Sequence, residues 1–222
     1  ASTPMHTNGS SVLQKANGNY IWLINTQWND SRIEVRNQTG ILLSTHIISG
    51  FGGCLRLQKT NDGGYVMISG VSVVKLDSLF NTEWVSTPVP TNITGWGYPS
   101  VNDVRQTSDN GYILTGSLPW ADPNGYIYTA NMYIRKLDSN GNEMWLNNTF
   151  LDSTSTSGFS VLETNTGDYV LIADSFYQYQ SNYTHYALFI KTDANGVEQW
   201  NKTFGGSDND EVSSVQQTTD GG

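Results

Sequence analysis

Residues 136–145 read KLDSNGNEMW, and the same frame returns as KLDSLFNTEW at 75–84 and KTDANGVEQW at 191–200. In each copy a tryptophan stands seven positions past an aspartate, which singles out Trp84, Trp145 and Trp200. A second frame precedes each of these: TNDGGY ending at Tyr65, TSDNGY ending at Tyr112 and TNTGDY ending at Tyr169. ANGNY at Tyr20 is a degenerate first copy, and TTDGG at 218–222 opens a fifth. Eight positions before each tyrosine lies an apolar residue, Val12, Leu57, Val104 or Val161, and Val215 keeps that register in the fifth copy. The tyrosines are 45, 47 and 57 residues apart, a period that suits four-stranded blades.

Each unit therefore reads as four strands. Strand A carries the apolar anchor, and the Asp109-Asn110-Gly111 turn supplies the positive φ angles of a tight hairpin. Strand B is expected over 112–116, strand C over 132–137 and strand D over 143–150, with a variable loop between B and C. In the first unit Asn37-Gln38-Thr39-Gly40 replaces the aspartate turn and no tryptophan follows. A lone four-stranded sheet cannot bury its own apolar faces, so units must stack. The indoles of Trp84, Trp145 and Trp200 and the rings of Tyr65, Tyr112 and Tyr169 are the expected packing anchors. The predicted fold is all-β, a β-propeller of four-stranded antiparallel blades with about four complete units plus the start of another. The blades are expected at 10–52, 53–99, 100–156 and 157–208, with a partial one at 209–222 and further blades beyond.

At these residues the chain resembles the extracellular β-propeller repeat proteins of archaea and bacteria. Their units read roughly T-x-DGGY, a strand, then K-x-D-x-NG-x-x-W-x-x-TFGG. The resemblance covers about residues 53 to 222 and is closest at Thr203-Phe204-Gly205-Gly206. It extends more distantly to the tryptophan-docking repeats of quinoprotein dehydrogenases, although Asp138 to Gly141 is one residue shorter than in that pattern. The resemblance implies a surface-exposed propeller belonging to the cell envelope.

Composition agrees with a β array. Charged residues are 14% of the chain and no stretch holds an apolar stripe at helical spacing. Net charge −9 repels phosphate backbones, so nucleic acid is not an expected partner. No apolar run approaches a bilayer span, and the Ala-Ser-Thr-Pro start suggests a processed terminus. Seven sequons, at Asn8, Asn29, Asn37, Asn92, Asn147, Asn182 and Asn201, suit an extracellular or cell-surface glycoprotein.

The chemistry-bearing residues are sparse. His6, His46 and His185 have no histidine or cysteine at ligand spacing, so no metal site is expected. Asp138-x-Asn140-x-Asn142 has the opening of a calcium loop without its glycine at position six or glutamate at position twelve, and reads as a hairpin turn. The run Ser207-Asp208-Asn209-Asp210-Glu211 is the only other place for calcium and reads as a solvated loop, so no cofactor is expected. Cys54, the sole cysteine, reads as a buried structural thiol. With no nucleophile motif, the chain is expected not to be an enzyme. The signal that remains is aromatic density in the long B–C loops: Trp120, Tyr126 and Tyr128 in one, Tyr177, Tyr179, Tyr183 and Tyr186 in the next. Such rings beside Asn and Asp suit glycans and protein partners alike. The expected function is structural or adhesive, a propeller face presented to other surface molecules with self-assembly among the options. A carbohydrate-binding module is the alternative, and a fragment of a propeller hydrolase or quinoprotein the third reading.

Overall fold

The computed structural model describes residues 8–25, 30–87, 99–121, 127–148, 155–179, 182–205, 210 and 212–218. Its elements are all strands, in four antiparallel sheets of four strands, each ordered as in sequence. No helix is long and apolar enough to cross a membrane. The chain divides into two compact units, Ala1–Thr87 and Pro88–Gly222.

The first unit holds two sheets. One is β1 (Asn8–Gln14), β2 (Tyr20–Asn25), β3 (Ser31–Arg36) and β4 (Leu42–Ile48); the other is β5 (Cys54–Lys59), β6 (Tyr65–Ser69), β7 (Ser72–Leu76) and β8 (Thr82–Ser86). Alternation along the strands turns Ile21, Leu23, Ile33 and Val35 of the first sheet onto Leu57, Tyr65, Met67 and Leu76 of the second. Each such aliphatic side chain, fully buried, contributes about 1.5–3 kcal/mol. Cys54 is wholly buried in this core with its Sγ 3.9 Å from Met67 Sδ, and burial pushes its thiol pKa up.

The second unit repeats the plan. Its sheets are β9 (Ser100–Gln106), β10 (Tyr112–Ala121), β11 (Ile127–Leu137), β12 (Glu143–Asn147), then β13 (Ser155–Glu163), β14 (Tyr169–Tyr179), β15 (Asn182–Thr192), β16 (Glu198–Phe204). Ile113, Met132 and Ile134 meet Val161, Leu171, Ala173, Leu188 and Ile190, with Trp145 packed against the cluster. Asp103 is wholly buried here; its carboxylate accepts the Ser160 hydroxyl at 2.7 Å and the Val161 N–H at 3.1 Å, binding one sheet to the next.

Turn chemistry explains the repeat. In the A–B turn, Asp62 Oδ1 accepts the Gly64 N–H at 2.9 Å, Asp109 does the same for Gly111, and Gly63 takes φ +84°. In the C–D turn, Asp138 Oδ1 accepts the N–H groups of Asn140 and Asn142 at 2.9 and 2.8 Å. Asp77 and Asp193 make the equivalent pairs, and Asn37 Oδ1 substitutes for them in the first sheet. A bulge interrupts every strand A at the same place, ten residues before the tyrosine position, at residues 10, 55, 102 and 159.

Tyr65, Tyr112 and Tyr169 are buried, at 2%, 1% and 3% exposed. Two expectations need correction. The B–C connections of the second unit are largely strand, because β10 runs on to Ala121, β11 starts at Ile127, and β14 and β15 pair as far as Tyr179 with Asn182. The apolar and β-branched residues that read as loop content instead extend the ladder. Strand D is also shorter than expected, since β12 ends at Asn147.

Candidate functional site

Two lysines of the repeat frame, Lys75 and Lys136, are 2% and 3% exposed, and a buried ammonium needs a carboxylate. Lys75 Nζ lies 2.7 Å from both Asp62 and Glu83, and Lys136 Nζ 2.8 Å from Asp109. Burial works against ionised Asp62 and Asp109, yet the hydrogen bonds from these lysines hold each carboxyl at about 2. In the fourth sheet the pair is rebuilt: Thr166 replaces the turn aspartate, and Asp168, two residues on, reaches Lys191 at 2.7 Å. At the matching positions a Cβ on Gly64 or Gly111 would crowd the lysine Nζ, so Asp168 displaces Lys191 outward to 27% exposure. These pairs are structural, and they went unseen in sequence because no spacing rule joins a strand C lysine to an A–B turn.

The exposed chemistry of the second unit lies on one face of β13–β16. Strand alternation sets Phe189, Trp200 and Phe204 side by side there. The Phe189 and Trp200 rings stack at 5.7 Å with 10° between planes, and Phe204 meets Phe189 edge-on at 6.4 Å. Trp200 is 40% and Phe204 56% exposed. Trp200 also borders a cleft of about 340 Å3, with Leu162, Val170 and Val215 as its apolar floor and Thr164, Lys191 and Gln217 on its rim. On the same face His185 Nδ1 sits 3.0 Å from Asp174 Oδ2.

The expected anchors therefore divide. Trp145 packs across to the next sheet, 5.9 Å from the Tyr169 ring. Trp84 is half-buried. Trp200 stacks on Phe189 of its own sheet and is 40% exposed.

Of the aromatic residues proposed for binding, Tyr126 lies outside the described residues, as do the side chains of Trp120, Tyr128, Tyr177, Tyr179 and Tyr183. Their strands are placed: Trp120 pairs with Thr129, Tyr177 with Thr184, Tyr179 with Asn182 and Tyr183 with Gln178. Tyr186, opposite Ser175, is half-buried. The row through Trp200 was missed for a plain reason: its tryptophan carries the same frame as Trp145, which packs half-buried against the next sheet.

Among the sequons, Asn29 and Asn92 lie outside the described residues, as do the side chains of Asn8 and Asn182. Asn37 closes a turn, Asn147 donates its amide to Gly196 O at 2.8 Å, and Asn201 is exposed. His6 and residues 207–209 and 211 of the acidic run are likewise outside the described set.

No protein-family model and no curated protein matches the chain. Among solved structures it is similar to a protein of unknown function from Bacteroides caccae, 11% identical over 92% of this chain and 70% of that one, with a TM-score of 0.54. It is also similar to a gluconolactonase from Xanthomonas campestris, 10% identical over 97% of this chain and 81% of that one, with a TM-score of 0.45. A third is the C-terminal WD40 domain of Sif2, 10% identical over 79% of this chain and 68% of that one, with a TM-score of 0.36. The expectation that the chain is not an enzyme is withdrawn, since these neighbours include a gluconolactonase and the fold does not exclude catalysis. The four antiparallel four-stranded meander sheets make the fold all-β, of the β-propeller class.

Proposed function

We propose that the chain is an adhesion module of the cell surface that engages glycans through the aromatic face of β13–β16. The observation that carries this reading is the row formed by half-buried Phe189 and the exposed Trp200 and Phe204 beside a cleft of about 340 Å3. Sugar rings offer C–H faces that stack on an indole and hydroxyls that need hydrogen-bonding neighbours. Thr164, Gln217 and the Lys191–Asp168 pair supply those neighbours at the rim. Seven sequons and net charge −9 support an exported, soluble glycoprotein surface. The arms carrying Trp120, Tyr126, Tyr128, Tyr177, Tyr179, Tyr183 and Tyr186 are a second contact region for other surface molecules.

Glycan-array binding by the wild type, Trp200→Ala and Trp120→Ala tests the assignment. Loss of at least tenfold in apparent affinity for Trp200→Ala, with circular dichroism unchanged, is the expected result. Binding that survives Trp200→Ala and disappears in Trp120→Ala moves the site to the arms. An array with no bound glycan removes the proposal.

A further inference from the structure

Neighbouring sheets of the second unit are latched at the A–B turn. The Ser108 N–H donates to Glu163 Oε2 at 2.6 Å and the Ser108 hydroxyl to Oε1 at 3.0 Å. The same latch recurs one sheet later, where the Asn165 N–H donates to Gln217 Oε1 at 3.0 Å. In both, the donor stands four residues before the tyrosine position of its sheet, and the acceptor six residues before that of the next.

Counting the same offsets in the first unit gives Ala16 as donor and Lys59 as acceptor. A lysine ammonium has no lone pair, so this latch cannot close. The place holds a cavity of about 370 Å3 instead. Leu13, Ile21 and Tyr65 form its apolar floor, and Lys15, Ala16 and Lys59 its rim, with no carboxylate among the lining residues. Among the described residues the Lys15 ammonium faces the Phe80 ring, 5.9 Å away, and Lys59 makes no ion pair. Lys15, Lys59 and Ala16 thus line the cavity, with Ala16 and Lys59 at the sequence offsets that Ser108 and Glu163 occupy in the sister interface.

We propose that this cavity is a binding site for a small organic carboxylate with an apolar body. The carboxylate takes the place that Glu163 fills in the second unit, accepting from the Ala16 N–H and pairing with Lys59 and Lys15 in charge-assisted hydrogen bonds. The apolar body lies on Leu13, Ile21 and Tyr65, and the volume suits a ligand of about ten to a dozen heavy atoms. The site shares no residue with the Trp200 cleft, so either assignment stands or falls without the other.

The test is a titration of the 15N-labelled protein with 3-phenylpropionate, 3-phenylpropanol and inorganic phosphate, followed by amide shifts. Saturable shifts at Ala16 and Lys59 with 3-phenylpropionate, and at least tenfold weaker response to the neutral alcohol and to phosphate, are expected. Lys59→Glu installs the missing acceptor and should weaken 3-phenylpropionate at least tenfold while leaving the melting temperature unchanged or raised. Lys59→Met, which removes charge without adding an acceptor, should also weaken binding. Absence of saturation, equal response to the alcohol or to phosphate, or undiminished binding by folded Lys59→Glu or Lys59→Met would overturn the proposal.

Discussion

The indole of Trp145 stands over Gly196 so closely that a Cβ added to that glycine would lie 2.5 Å from the ring. The matching turn position in the first unit is Phe80, which holds φ 70° although it is not glycine. There the preceding sheet offers no tryptophan: Ser44 stands at the indole position, and His46, two residues on, meets the Phe80 ring at 4.8 Å. Phe80 in turn stacks on Tyr65 at 5.0 Å, as Trp145 approaches Tyr169 at 5.9 Å. One interface is filled from the sheet before and the other from the sheet after.

This exchange predicts coupled stabilities. Phe80→Gly relieves a left-handed φ worth about 1 kcal/mol but removes a buried ring whose truncation costs about 3–5 kcal/mol, for a net loss of about 2–4 kcal/mol. Adding Ser44→Trp to Phe80→Gly should restore part of that loss, and Ser44→Trp alone should destabilise by overpacking. Urea denaturation of the four proteins gives the cycle, with a coupling of about 0.5–3 kcal/mol expected.

The lysine pairs predict unequal costs for removing their aspartates. Asp109→Ala leaves the buried Lys136 without a carboxylate among the described residues and should cost about 3 kcal/mol. Asp62→Ala leaves Lys75 with Glu83 at 2.7 Å and should cost clearly less. Denaturation midpoints measured at neutral pH decide the order.

Acid should loosen the fold through the same groups. Asp62 and Asp109 sit at about 2 in the folded chain, below about 3.9 when unfolded, so their contribution is complete above pH 4. It fades as pH falls from there toward 2. Melting temperatures between pH 5 and 2 should therefore drop, and Asp109→Asn should flatten that slope.

Glycan attachment should follow the amide contacts. Asn147 Nδ2 is spent on Gly196 O, whereas Asn201 is exposed and, among the described residues, donates to Glu198 on its own strand. On expression in a glycosylating host, mass spectrometry of tryptic peptides should find modification at Asn201 and an unmodified Asn147.

Much of this architecture was legible in the chain. The frames ending at Tyr65, Tyr112 and Tyr169 mark buried residues, and Asp109 and Asp138 close hairpins where the chain reads as turns. Long-range side-chain pairing was not legible. The Lys136–Asp109 pair, the Asp103–Ser160 bond and the Ser108–Glu163 latch join residues 27 to 57 positions apart, and sequence spacing carries no information at that range. The solvent-open Trp200 was hidden because a residue's frame reports its strand position, while its exposure depends on what covers the sheet. The B–C segments misled for a related reason, since Tyr177 and Tyr179 suit a binding loop and a strand equally well.

Occupancy of the Trp200 cleft is the most direct test of the account. In a protein with 15N-indole tryptophan, the Trp200 Nε1–H resonance should shift saturably on titration with an array-positive oligosaccharide while the Trp145 resonance stays in place. A Trp200 signal that does not move as the sugar binds would contradict the glycan site.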